Sequence, residues 1–354
     1  MTDLEKLCSR VTEAADCAVI TDDVNRRYFT AMKSSAGTLV VFPEKAYFII
    51  DFRYIEKAKK TVTACEVILQ DKLYEQINSL IEKHGAKTVS VNADTCTLSE
   101  LIAYQQKLNA EVIADIKLAE IIREIRTVKS QEQIDKIIKA QRIAEKGFAH
   151  MLDFIKVGRT EKEIQLELDY YMLKNGAEAL SFDTIALSGS NTSLPHGVPS
   201  DKKVESGEFV LMDFGATYDG WHSDMTRTVC VGKPSDKMKS VYETVLTAQL
   251  SALDAVKAGM PGKALDKIAR DIITEAGYGD NFGHSLGHGV GVEIHESPYA
   301  SPSREDILPE NSIVTVEPGI YLEGRFGVRI EDFVVVTENG CINMTKAPKE
   351  LICL

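Results

Sequence analysis

Two aspartates, Asp213 and Asp224, stand in FVLMDFGATYDGWHSDMTRTVCVG (209–232), a run that otherwise reads as strand. An ionised carboxylate taken away from water is costly unless something compensates it. A second run, SIVTVEPGIYLEGRFGVRIEDFVVVTENG, carries Glu317 and Glu331 among β-branched residues. Between them lies NFGHSLGHGVGVEIHESP, with His284, His288 and His295, and His196 sits earlier in SLPHGVPS. Four carboxylates and one imidazole make a hard, oxygen-rich donor set, suited to Mn, Fe(II), Co or a pair of Zn ions rather than thiolate-bound zinc. Two metals about 3.5–4 Å apart would activate a bridging water and clamp a tetrahedral intermediate. Further histidines would bind developing charge or move protons. Taken singly, the residues have plainer uses: His295 as a packed histidine, Glu331 as a partner of Arg329. Together, their spacing is hard to explain as structure. The other three histidines, His84, His150 and His222, lie in polar surroundings and are expected at the surface.

The elements that must position these groups are legible around them. Asp219-Gly220 is a two-residue hairpin turn signal. With that turn, Asp224 falls opposite Gly215 and Asp213 opposite Thr226. The two aspartates then become diagonal neighbours on one face, roughly 7–8 Å apart at the backbone, and the small Gly215 leaves room there. Asp219 is a turn residue in this reading, and Trp221 packs beneath the hairpin. The chain also repeats itself: IKVGRTEKEIQLELDYYMLKNG (155–176) resembles VKAGMPGKALDKIARDIITEAG (256–277). Each copy has a glycine that ends one helix, an amphipathic helix and a terminating glycine. Thr160 with Glu163 predicts a capping box in the first copy, and Pro261 sits near the helix start in the second. The pattern fits one domain of two related halves, with a site where they meet.

Residues 18–55 alternate short strand-like runs (AVIT, TLVVF, AYFIID) with turns. Helical patterns follow at about 53–60 and 72–84, then the strand-like KTVSVN, which together predict a small α/β domain. Residues 117–151 form one long charged amphipathic stretch, with a capping box predicted at Ser130 and Gln133. The boundary is placed near residue 122, giving domains 1–122 and 123–354. The net charge of −12 argues against nucleic acid or an anionic membrane as the main partner. No stretch approaches a membrane span. The seven cysteines are scattered, odd in number and without C-x-x-C spacing, as in reduced thiols of a cytoplasmic protein.

DFGATYDGWHSDMTRT, GHSLGHGVGVEIHE, TVEPGIY and VRIEDFVVVTENG resemble the metal motifs of the pita-bread metallopeptidases, most closely the aminopeptidase P and prolidase branch. The likeness extends to the N-terminal α/β domain, which resembles that of short bacterial Xaa-Pro peptidases. It implies an α+β protein: a C-terminal pita-bread domain with an internal pseudo-twofold repeat, preceded by a smaller α/β domain. It further implies two divalent ions, Mn first and Co, Zn or Fe as alternatives. By the same resemblance Asp213 chelates one metal, Asp224 and Glu331 bridge, and His288 and Glu317 bind the other. Glu317 also takes the proton of the bridging water, so that hydroxide attacks the carbonyl before proline. His196 and His295 would contact substrate and the tetrahedral intermediate, His284 the substrate end, and Arg329 would orient the bridging glutamate.

The activity implied is hydrolysis of the Xaa-Pro bond in peptides with proline at the second position. Prolidases of this family hold the dipeptide carboxylate with an arginine shortly after the histidine motif. Counting from HESPYAS, that position is Tyr299, which favours an aminopeptidase over the alternative, an Xaa-Pro dipeptidase; Arg304 or Arg53 could supply the charge instead. Methionine aminopeptidase shares the ligand set but does not usually carry an N-terminal domain of this size. Creatine-type amidinohydrolases lack the ligands. A non-catalytic binding scaffold of the same fold should have lost them. A homodimer is implied by relatives whose N-terminal domain reaches a neighbouring subunit's site.

Overall fold

A computed structural model describes residues 1–354, which divide into two compact units, Met1–Arg126 and Thr127–Leu354. The first is built on a six-stranded sheet in the order Glu66–Leu69, Ala46–Ile50, Thr38–Val41, Cys17–Ile20, Thr88–Val91, Glu111–Ile113. Thr38–Val41 pairs antiparallel with both neighbours, and the other pairs are parallel. The central strands are unbroken apolar runs because helices cover both faces. Ala18 and Ile20 join a cluster with Leu4, Leu7 and Leu118; Cys17 and Val19 join another with Ile77, Ile81 and Tyr104. Residue 122 falls inside the helix Lys117–Thr127, whose Ile121, Ile122 and Ile125 are buried in the first of these clusters. The long charged stretch is thus two helices. The second, Gln131–Phe154, opens on the expected capping box of Ser130 and Gln133.

The second unit has two halves, each a helix pair followed by a hairpin. Gln131–Phe154 and Glu161–Lys174 begin the first; Asp236–Ala255 and Gly262–Glu275 begin the second. The repeat glycines Gly158 and Gly176 have φ of 91° and 106°, and their counterparts Gly259 and Gly277 have 79° and 86°. These are left-handed conformations that a Cβ would oppose. Thr160 makes its capping box with Glu163, and Pro261 stands at the N-cap position of the second copy with no side-chain cap bond.

Each hairpin is two ladders with a break between them. In the first, Glu208–Phe214 pairs with Met225–Val231, then Ala216–Tyr218 with Trp221–His222. The register is the expected one, with Asp213 opposite Thr226 and Tyr218 opposite Trp221. Asp219 and Gly220 both have positive φ, 50° and 81°, as a twist-matched two-residue turn needs. In the second hairpin Ile313–Val316 pairs with Asp332–Thr337, then Gly319–Leu322 with Phe326–Arg329. Val210, Met212, Phe214 and Val229 pack in one core with the first helix pair; Val314, Val316, Val334 and Val336 pack in another with the second. The period of two sends Asp213, Asp224 and Thr226, and likewise Glu317 and Glu331, to the opposite faces. There the hairpins meet: Glu331 N donates to Thr226 O at 3.1 Å and Thr228 Oγ1 to Arg329 O at 3.0 Å. No helix is long and apolar enough to cross a membrane, and all seven cysteines are unpaired.

Candidate metal centre

The carboxylates stand at the breaks, where the ladders stop and side chains from both hairpins converge. Ligand atoms of Asp224, His288 and Glu331 lie within 4.8 Å of one another. Glu317 Oε1 is 3.3 Å from His288 Nε2, and Asp224 Oδ2 is 3.6 Å from it. Asp213 lines the same cleft but turns one oxygen to Arg329 Nη2, while its buried Oδ1 has no hydrogen-bond partner. The cleft, about 780 Å³, is lined by all five of these residues and by His196, His284, His295 and Arg329. Every residue expected from the sequence therefore reaches one cavity, with Asp213 and Glu317 at the margins of the tight trio.

The electrostatics follow from burial and like charge. Burial and Asp213 push the Asp224 carboxyl well above its ordinary range, and burial with Asp224 does the same to Glu331. Asp213 is also raised, by burial, against the pull of Arg329. Burial would raise Glu317 too, but His288 overrides it and holds Glu317 down at about 2. Burial works to lower His288; its bond to Glu317 outweighs that and lifts it to about 9. His288 Nδ1 donates to Gly289 O at 3.0 Å, and the raised imidazole carries its second proton on Nε2, toward Glu317, in the place a bound cation would take. Three carboxyls that resist ionisation together, and one orphaned carboxylate oxygen, fit a donor set made for divalent cations.

Several supporting groups escape a reading of the sequence. Tyr321 Oη lies 2.9 Å from His284 Nε2 and accepts from Arg329 Nη1 at 2.7 Å; burial pushes the phenol up to about 12. His284 Nδ1 faces Ser285 O at 2.8 Å, so Tyr321 donates to its Nε2; burial lowers the imidazole, which stays neutral. His295 is lowered by burial and by His288, whose ring lies 4.3 Å away. Arg329 does not touch Glu331 directly: its Nε donates to Thr226 Oγ1 at 3.0 Å, which donates to Glu331 Oε2 at 2.7 Å. Thr226 shares a face with Asp224 by strand period, a signal the sequence did contain. A buried ion pair at 2.5 Å joins Lys129 to Glu296, the residue that follows His295. Of the three histidines expected at the surface, His84 is exposed. His150 is half-buried against Glu167 and Tyr171, and His222 is half-buried in the first hairpin, because both pack on neighbouring aromatic or strand surfaces. Trp221 is buried, as expected of a packing residue.

Comparison with known proteins agrees with this geometry. A family model described as Metallopeptidase family M24 matches residues 135–338, and one described as Creatinase/Prolidase N-terminal domain matches residues 4–128. The chain is 40% identical over 352 residues to an Xaa-Pro dipeptidase of Pyrococcus furiosus, covering 99% of both. It is similar to the structure of an Xaa-Pro dipeptidase from Bacillus anthracis, with a TM-score of 0.96 and 42% identity over 99% of each chain. The structure of an X-Pro aminopeptidase from Thermotoga maritima MSB8 matches with a TM-score of 0.91 and 38% identity, over 96% of this chain and 98% of that one. The expected architecture, an α/β domain followed by a pita-bread domain, is that of these relatives.

Proposed function

The chain belongs to metallopeptidase family M24, and from that premise we propose that it is an Xaa-Pro dipeptidase, cleaving between an N-terminal residue and a C-terminal proline. The preference for the dipeptidase over the aminopeptidase expected from Tyr299 rests on one observation. The Arg304 guanidinium stacks 3.9 Å from the centre of the Tyr299 ring, and that ring lines the cleft. A cation thus stands beside the position where the resemblance wants an arginine; its Nε is held by Asp306 Oδ2 at 3.0 Å, which leaves the terminal nitrogens to meet a free α-carboxylate. The relatives named as Xaa-Pro dipeptidases support the same reading.

In this proposal Asp213, Asp224, His288, Glu317 and Glu331 hold two divalent cations, with Mn suited to the oxygen-rich set. When bound, such ions supply an acidified water and an electrophile for the scissile carbonyl. The remaining chemistry belongs to the chain. Glu317 takes a proton from the attacking water and returns it to the leaving imino nitrogen. His196 and His295 bind the charge that develops on the carbonyl oxygen. His284, fixed by Ser285 and Tyr321, faces the substrate end as a neutral imidazole. Arg329 holds Asp213 and Tyr321 in place and reaches Glu331 through Thr226. The unpaired thiols support a cytoplasmic setting, and the homodimer implied by resemblance is checked by light scattering.

The deciding experiment compares kcat/KM for Xaa-Pro dipeptides and Xaa-Pro-Xaa tripeptides on metal-reconstituted enzyme. Dipeptides are expected to be preferred by at least about tenfold, a difference of about 1.4 kcal/mol. Equal or better tripeptide turnover would return the chain to the aminopeptidase reading.

A further inference from the structure

His196 stands on an exposed segment at the cleft, between Leu194 and Val198, which are 54% and 80% exposed. Little apolar burial fastens such a stretch. Polar contacts do so instead: Arg329 Nη1 donates to Pro195 O at 3.4 Å, Gly327 N donates to Thr192 Oγ1 at 2.8 Å, and one carboxylate holds both ends of the segment. Glu161, the first residue of the helix Glu161–Lys174, is fully buried at 0% exposure. Its Oε1 accepts from Ser188 N at 2.7 Å, Ser188 Oγ at 3.2 Å and Asn191 Nδ2 at 3.0 Å. Its Oε2 accepts from Ser200 N at 3.0 Å, Ser200 Oγ at 2.6 Å and Asn191 Nδ2 at 3.2 Å. One carboxylate therefore ties both ends of segment 188–200, with a backbone N–H on each oxygen. A glutamate is almost never fully buried unless it is well partnered, and here the partners are this segment's donors at a helix N-terminus.

The second half of the repeat does something parallel. Asp266, 1% exposed on the helix Gly262–Glu275, accepts from Leu286 N at 2.9 Å and pairs with Arg270. Arg270 in turn donates to Phe282 O and His284 O, both at 2.8 Å. In each half, then, a buried carboxylate on the helix after the repeat glycine fixes a histidine-bearing segment. We infer that Glu161 is a positioning residue for the peptidase reaction, setting the place of His196 over the cleft through segment 188–200. The inference rests on the role given to His196 above.

Glu161→Gln keeps the side chain's shape but breaks the pattern. Whichever way the amide is turned, its NH2 group faces a backbone N–H, of Ser188 or of Ser200. The test is a double-mutant cycle with His196→Ala, read as kcat/KM on an Xaa-Pro peptide, with metal content measured for all four proteins. His196→Ala is expected to lose about 100-fold or more. Glu161→Gln should lose at least about tenfold. The double variant should lose no more than His196→Ala alone, with metal content unchanged throughout. Losses that multiply would overturn the positioning role and leave Glu161 a purely structural residue. A His196→Ala protein of full activity would sink the reading of His196 itself, and the positioning role with it. Should Glu161→Gln fail to fold, Ser200→Ala removes one donor and keeps the backbone bond. It should give the same non-multiplying cycle from a loss of about threefold, and a multiplying one again overturns the inference.

Discussion

Asp224 carries the sharpest consequence at the scale of single residues. It belongs to the close trio with His288 and Glu331, and its carboxyl is pushed up by burial and by Asp213. Asp224→Asn keeps the volume and one acceptor oxygen but removes the charge that would bind cations. It should lower Xaa-Pro hydrolysis by more than about 100-fold, since even outer partners of metal ligands cost 10–100-fold. Metal content by elemental analysis should fall with it. Full activity in this variant would rule out the metal-dependent mechanism. The residues named here were legible because strand period and a single turn type decide which side chains share a face. The partners of Arg329 were not. They come from Asp213, Thr226 and Tyr321, of which Asp213 and Thr226 are more than 100 positions away, and local pattern carries no information about which hairpin faces meet.

At the scale of elements, the first unit offers a clean electrostatic test away from the cleft. Asp16 precedes the strand Cys17–Ile20, and its Oδ2 accepts from Lys87 N at 2.7 Å and Thr88 N at 3.0 Å, at the entry to the neighbouring strand. Those two backbone donors, Lys87 first, hold its carboxyl below the ordinary value. A depressed folded pKa contributes stability above the unfolded value, about 3.9 for Asp, and loses it as pH falls through the folded value. Asp16→Asn should therefore be less stable than the parent to urea near about pH 7, with the gap narrowing as pH falls below about 3.9. A gap that persists in acid would mean that the contribution is not ionic. The strands themselves were readable from their β-branched runs. The split of residues 117–151 into two helices was less so, because both parts share one amphipathic stripe and only the cap at Ser130 marks the interruption.

Cation binding by the proposed ligands would be a property of the whole molecule, since they come from both halves of the second unit. Ligand binding to the folded state stabilises it by about 2.7 kcal/mol at a hundredfold excess over Kd. A domain of this size shifts by about 2–4 °C per kcal/mol. Chelation should thus lower the melting temperature of the second unit by roughly 5–10 °C, and added Mn should restore it. An unchanged melting curve would mean that the cluster holds no cation in solution. The internal repeat announced two related halves through its glycines, helix-start signals and amphipathic helices. The choice between dipeptide and longer substrates did not show in the motif, because Arg304 reaches Tyr299 through a loop rather than by strand register.

The wide sequence separation of the proposed ligands also bears on synthesis. Asp213 and Asp224 leave the ribosome well before His288, Glu317 and Glu331, and a nascent first half offers only two carboxylates to passing ions. Chelation strength arises late, when contacts of high sequence separation close. With the proposed ligand set, an unfinished or misfolded chain would therefore be a poor competitor for scarce metal, and loading itself would mark a polypeptide that has completed its fold.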